Sequence, residues 1–144
     1  MAGLAKYFGN IEEMTSHADN VKLSSLAGKT VFFYFTASWC PPCRGFTPQL
    51  VEFYNKFHES KNFEIIAITW DENEEDWIPY YAKMPWLSLA FKEKATQENL
   101  TKGFQVQSIP TLVGVEADSG KIVTLTARNM VVTDPEGKNF PWSE

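Results

Sequence analysis

The only two cysteines of the chain stand in Trp39-Cys40-Pro41-Pro42-Cys43. They follow directly on the apolar run Val31-Phe32-Phe33-Tyr34-Phe35, which is β-branched and aromatic without polar alternation and reads as a buried strand. After Cys43 the period changes. Phe46, Leu50, Phe53 and Phe57 share one face of an α-helix. Two thiols at i and i+3, placed where a buried strand turns into an amphipathic helix, point to thiol–disulfide redox chemistry.

The junction itself favours that chemistry. With Cys40 as N-cap, Pro41 is the first helical residue, where its fixed φ suits the helix and its missing N–H is no loss. Pro42 also lacks an N–H, so the donor left for the Cys40 sulfur is the backbone N–H of Cys43. The positive end of the helix dipole adds to this and favours a thiolate on Cys40. Cys43 lies one turn further in and is expected to be shielded. Cys40 is therefore the expected attacking nucleophile and Cys43 the resolving thiol, close enough to close a disulfide.

A structural zinc site takes four ligands, and the spare candidates, His17 and His58, lack metal-ligand spacing to Cys40; no metal is expected. Trp39 is expected to form a flat wall beside the disulfide. Trp70 ends the second strand on the side where open α/β sheets bind ligands, although tryptophans commonly pack. Arg44 reads as a solvated helix residue. Arg128 reads as the end of the last hairpin strand. Gly28-Lys29-Thr30 lacks the leading glycine of a phosphate loop, with Leu23 in its place. Asp71 to Asp76 lacks the glycine of a calcium loop.

The chain has 144 residues, a formal net charge of -5 and a pI near 5.1. Its length suggests one domain over 1–144. The acidic balance argues against nucleic acid as partner, since phosphate binding needs a basic surface. No stretch reads as a signal peptide or reaches membrane-spanning length, so a cytoplasmic protein is expected. In a reducing compartment a lone cysteine pair is more often catalytic than structural.

The elements that must position the pair follow in order. Ala2 to Phe8 fits a short strand or a helical turn, and Ile11 to Asn20 a polar loop. Thr30 to Ala37 is the central strand. A helix runs from Pro41 to about Glu59 and is expected to kink at Pro48. Phe63 to Trp70 is a second buried strand. A helix capped by Asp71 or Asn73 runs to about Lys83. Leu87 to Phe91 is short and extended. Ala95 to Lys102 is a helix closed by Gly103. Thr111 to Glu116 and Lys121 to Thr126 form a hairpin over Asp118-Ser119-Gly120. Asp134-Pro135-Glu136-Gly137 fits a type I turn. Strand–helix–strand implies parallel pairing and the hairpin adds antiparallel strands. The expected class is α/β, a central mixed sheet with helices on both faces.

Trp39-Cys40-x-x-Cys43 together with Ile109-Pro110-Thr111 resembles the thioredoxin superfamily. The finer resemblance is to the tryparedoxins, carried by Trp-Cys-Pro-Pro-Cys-Arg at 39–44, by Trp70-Asp71-Glu72, and by Asp134-Pro135-x-Gly137-x-x-Phe140-Pro141-Trp142. The longer nucleoredoxins look similar at the same motifs. The superfamily resemblance, which covers a core of about 29–128 with extensions at both ends, implies a thioredoxin-like fold, a cis peptide at Pro110 against the disulfide, and Ile109 in the substrate-binding edge. The tryparedoxin resemblance implies that trypanothione, a bis-glutathionyl spermidine dithiol, reduces the Cys40–Cys43 disulfide. It also implies that the reduced protein, acting as a monomer, passes electrons to peroxidases of the peroxiredoxin and glutathione-peroxidase types and to ribonucleotide reductase. Glu72 and Arg128 are then the expected partners of the spermidine ammonium and the γ-glutamyl carboxylates. The alternatives are a nucleoredoxin-like or general thioredoxin-like disulfide reductase and, further off, a metal-binding chaperone module. The buried Asp of ordinary thioredoxins falls at Tyr34 here, which leaves bound water or Asp71 as candidate proton acceptors for Cys43.

Overall fold

The computed structural model of the chain describes residues 2–144. In chain order its elements are α1 (Ala2–Phe8), β1 (Glu13–Met14), β2 (Val21–Lys22), β3 (Thr30–Thr36), α2 (Pro41–Phe57), β4 (Phe63–Thr69), α3 (Glu74–Tyr81), β5 (Leu87–Ser88), α4 (Lys94–Gly103), β6 (Thr111–Glu116), β7 (Ile122–Thr124) and α5 (Ala127–Thr133). A 3-10 turn, Leu23–Leu26, leads into β3. The main sheet runs β5-β4-β3-β6-β7. β3 pairs in parallel with β4 and antiparallel with β6, so the sheet is mixed and β3 lies at its centre.

The unbroken hydrophobicity of β3 follows from burial on both faces. Phe32 and Tyr34 enter one core with Phe46, Leu50 and Phe53 of α2, Trp77 and Tyr80 of α3, and Val131 of α5. Val31, Phe33 and Phe35 enter the other with Leu4 and Phe8 of α1 and Leu100 of α4. Period two along the strand thus becomes two cores, one on each face of the sheet. The aromatic excess is used mostly on the α2 side. The C-terminal tail closes this core, with Phe140 against Phe63 at 5.2 Å and Trp142 against Phe53 at 5.4 Å between ring centroids. Asp134 holds the tail in place by accepting from the backbone N–H of Lys138 and Asn139 and from the indole N–H of Trp142. The turn expected at Asp134 to Gly137 is present, with Gly137 N–H donating to the Asp134 carbonyl at 2.9 Å.

Several local expectations are decided or corrected. Of the two readings open for Ala2 to Phe8 the helical one holds, and α1 docks where Gly3 lies against the β6–β7 turn. A Cβ there would come within 2.3 Å of the Gly120 nitrogen, so only glycine permits the approach. Tyr7 adds a hydroxyl bond to the Gly120 carbonyl at 2.6 Å. Ile11 to Asn20 is not only loop. β1 pairs with β2, and Thr15 exchanges backbone bonds with Ser88 at the sheet edge. Backbone pairing needs no apolar side chains, so the polar sequence concealed it.

The strand expected at Leu87 to Phe91 shortens to Leu87–Ser88. Gly103 ends α4 inside the helix, and the left-handed position falls to Gln105 at φ 56°. β7 stops at Thr124, and Arg128, expected to end that strand, lies in α5. The hairpin turn located the strand but not its end, because the residues after Thr124 turn away into α5. α2 continues through Pro48. Asn73 holds the N-cap position of α3 without a side-chain bond, and Asp71 turns inward instead.

Candidate active site

Three loops meet at one edge of the sheet, beyond the ends of the parallel strands β3 and β4 and before the start of β6. They carry Ala37 to Cys40, Trp70 to Asn73 and Ser108 to Pro110. The register explains the convergence, because Phe35 lies opposite both Ile68 of β4 and Thr111 of β6. This is the crevice that open α/β sheets present to ligands.

Cys40 and Cys43 are joined as a disulfide with Cα atoms 5.3 Å apart. Cys40 occupies the N-cap of α2 in extended conformation, and its sulfur accepts the Cys43 N–H at 3.2 Å, the donor that the Pro-Pro pair leaves. Cys43 is fully buried, whereas Cys40 retains 4% exposure. Ala37, Cys40 and Cys43 pack with Trp70 and Ile109 in one small apolar cluster. The Ile109–Pro110 peptide is cis, as the superfamily resemblance implies, and the Ile109 carbonyl lies 3.7 Å from the Cys40 sulfur. Trp39 stands beside this cluster with 60% of its surface exposed. Trp70 is half-buried. Its backbone N–H donates to the Thr36 carbonyl at 2.9 Å and its indole N–H to Thr101 Oγ1 at 3.2 Å. Trp70 therefore both packs and faces the disulfide.

Pro41 and Pro42 are exposed at the helix start. Glu72 and Arg128 are exposed, one in the loop after β4 and one in the first turn of α5; neither belongs to the apolar cluster around the sulfurs. Arg44 is exposed too, and its guanidinium donates to the Ser38 carbonyl at 3.2 Å.

A thioredoxin-like family model matches residues 28–122. A tryparedoxin of Trypanosoma brucei brucei is 56% identical over 142 residues, 99% of each chain. The chain belongs to the tryparedoxin family. The structure of native tryparedoxin I from Crithidia fasciculata superposes with a TM-score of 0.97 at 58% identity, over 99% of both chains. A tryparedoxin II complexed with glutathionylspermidine superposes with a TM-score of 0.96 at 59% identity, again over 99% of both. With its cysteine pair at disulfide distance, this tryparedoxin homologue is a thiol–disulfide oxidoreductase whose redox-active centre is Cys40–Cys43.

Two polar networks around this tryparedoxin centre join residues distant in sequence. Tyr34 is fully buried, and its hydroxyl lies 2.7 Å from Thr47 Oγ1, which in turn meets the Tyr80 hydroxyl at 2.8 Å. Tyr80 reaches Thr36 Oγ1 at 2.8 Å, and Thr47 donates to the Cys43 carbonyl at 2.9 Å. Four hydroxyls therefore stand beneath the backbone of Cys43. Desolvation, then the neighbouring Tyr80, holds the Tyr34 hydroxyl well above the ordinary tyrosine range, so it stays protonated. A groove of about 340 Å³ lined by Arg44, Thr47, Pro48, Val51, Tyr80 and Lys83 opens beside this cluster.

The second network centres on Asp71, which is 2% exposed. Its carboxylate accepts from the Ser38 N–H at 3.2 and 3.1 Å, from the Ser38 hydroxyl at 2.7 Å and from the Thr69 hydroxyl at 2.8 Å. A signal for it did exist: an acidic residue directly after a buried strand, between Trp70 and Glu72. Among the described residues no group of three or more His, Cys, Asp or Glu gathers as a metal site, and no helix is long and apolar enough to cross a membrane.

Proposed function

We propose that the Cys40–Cys43 pair carries electrons from trypanothione to disulfide-containing peroxidases of the peroxiredoxin and glutathione-peroxidase types, in the cytoplasm and as a monomer of one thioredoxin-like domain. The observation that carries the reading is the asymmetry of the two sulfurs. Cys40 keeps 4% of its surface exposed and accepts a backbone N–H at a helix start, whereas Cys43 is fully buried. A thiolate of the reductant attacks Cys40 Sγ, and Cys43 leaves as the thiolate. The second thiol of the reductant then attacks the mixed disulfide, takes the reductant to its own disulfide and leaves Cys40 as a thiolate. Two electrons enter the protein, and both thiol protons of the reductant are accounted for on the protein or in solvent. Reduced Cys40 attacks a disulfide or sulfenic sulfur of the peroxidase, and Cys43 resolves that adduct.

Trp39, Trp70, Ile109 and Pro110 form the flat apolar edge against which either partner lies, and Pro41 and Pro42 restrict the helix start to the one donor. Trypanothione as reductant is supported by the complex of tryparedoxin II with glutathionylspermidine, since trypanothione carries the same units. Glu72 offers a carboxylate to the spermidine ammonium, and Arg128 a bidentate donor to a γ-glutamyl carboxylate. Exposed contacts of this kind are worth about 1 kcal/mol each. Glu72→Gln and Arg128→Ala are therefore expected to slow reduction by trypanothione several-fold, less so at high salt, and to leave reduction by uncharged dithiothreitol nearly unchanged. Equal slowing with both reductants removes the recognition assignment, and reduction by glutathione as fast as by trypanothione removes the reductant.

A further inference from the structure

Asp71 is buried, and among the described residues its carboxylate forms no ion pair. All its acceptor capacity is spent on tying two loops together: Thr69, at the end of β4, and Ser38, the residue before Trp39 and Cys40. Thr69 completes the clasp by accepting the Asp71 N–H at 2.9 Å. The Asp71 carbonyl is held in turn by Lys94 Nζ at 2.8 Å, and that ammonium sits 3.5 Å over the Phe91 ring. On the other side of Ser38, its carbonyl takes the Arg44 guanidinium from α2. Every polar backbone group of Ser38 is thus fixed by a side chain from another segment, and the rest of the chain up to Cys40 is two residues long.

From this geometry we infer that Asp71 is a positioning residue for the redox reaction. It clamps the Ser38–Cys40 loop against the Trp70 edge and sets where the Cys40 sulfur stands when it attacks or is attacked. It is not the proton acceptor of Cys43. Each of its two oxygens already takes bonds from Ser38, and one also takes the Thr69 hydroxyl. Charge-assisted bonds of this kind are the strong ones, and an Ser38 N–H left without an acceptor in this half-buried place costs more than the bond itself contributed. Misplacement of a reacting atom by about 1 Å is enough to slow a reaction by up to about a hundredfold.

The inference rests on Cys40 as the attacking thiol, and one experiment separates the two. Reduced protein is mixed with excess of a soluble aromatic disulfide, and release of the coloured thiolate is followed. Attack by Cys40 releases the first equivalent, and resolution by Cys43 releases the second. Asp71→Ala is expected to slow the first step about tenfold or more. Asp71→Asn is expected to restore most of the rate, because its carbonyl oxygen still faces Ser38 while its amide turns to Thr69 Oγ1, which can accept. Ser38→Ala, which keeps the N–H bonds and loses the hydroxyl bond, is expected to slow the first step several-fold and serves if Asp71→Ala does not fold. A first step unchanged in Asp71→Ala, or unchanged in Ser38→Ala, overturns the inference. So does an Asp71→Asn as slow as Asp71→Ala with only the second step affected, which is the signature of a proton acceptor for Cys43. Failure of Cys43→Ser to release the first equivalent overturns instead the assignment of Cys40.

Discussion

Thr47 is the hub of the hydroxyl cluster under the active-site helix, and replacing it by valine tests how that cluster supports the site. Valine keeps the shape and removes the oxygen. Tyr80 retains Thr36 at 2.8 Å, but Tyr34 loses its close partner at 2.7 Å and keeps the Cys43 carbonyl at 3.5 Å. A buried hydroxyl without a good partner costs about 1–3 kcal/mol. Allowing for the added methyl, Thr47→Val is expected to lose about 2 kcal/mol. In urea, where small domains lose about 1–3 kcal/mol per molar, the unfolding midpoint falls by about 1 M. Adding Tyr34→Phe removes the orphaned hydroxyl, so the double variant is expected to recover about 1 kcal/mol rather than lose more. Urea unfolding followed by far-UV circular dichroism on the four proteins of the cycle measures this. Strict additivity of the two single losses would refute a shared network, and a Thr47→Val midpoint equal to that of the parent would refute the cost assigned to Tyr34.

Two pH effects follow from the titrating groups. The Trp142 indole, then the Asn139 N–H, hold the Asp134 carboxyl below its ordinary value of 3.8, so its contribution is complete above that pH and is lost as pH falls below it. Tryptophan fluorescence is expected to report loosening of the tail below about pH 4, and Asp134→Asn to show the same change already at pH 7. At the other extreme, burial holds the hydroxyls of Tyr34, Tyr54 and Tyr81 above the ordinary 10.0. Because the folded values are the raised ones, their contribution is complete below pH 10 and falls as pH rises past it. Thermal melts are expected to drop steeply from about pH 10 upward, and Tyr34→Phe to flatten that drop.

The sequence was most informative where one residue type had a single structural use. Cys40, with two prolines behind it, left one backbone donor, and the structure puts that N–H on the sulfur. The unbroken apolar runs of β3 and β4 located the sheet centre, since only strands buried on both faces lack alternation. What stayed hidden depends on partners distant in sequence. Asp71 looked like a helix cap because acidic residues before a helix usually are, yet its partner Ser38 lies on another loop. Tyr34 read as a missing base, and its meaning came only with Thr47 and Tyr80 beside it. The helix of Arg128 was hidden because a turn signal shows where a hairpin strand begins and not where it stops, and β1 because its polar stretch pairs through backbone alone.

In the proposed electron path Cys40 exchanges electrons with partners and Cys43 resolves. Trapping tests it most directly: Cys43→Ser and Cys40→Ser, each reduced and mixed with an oxidised peroxidase of the peroxiredoxin type, are resolved on a non-reducing gel. Cys43→Ser is expected to accumulate a covalent adduct that dithiothreitol releases, and Cys40→Ser to give none. An adduct on Cys40→Ser at neutral pH, with none on Cys43→Ser, would contradict the account.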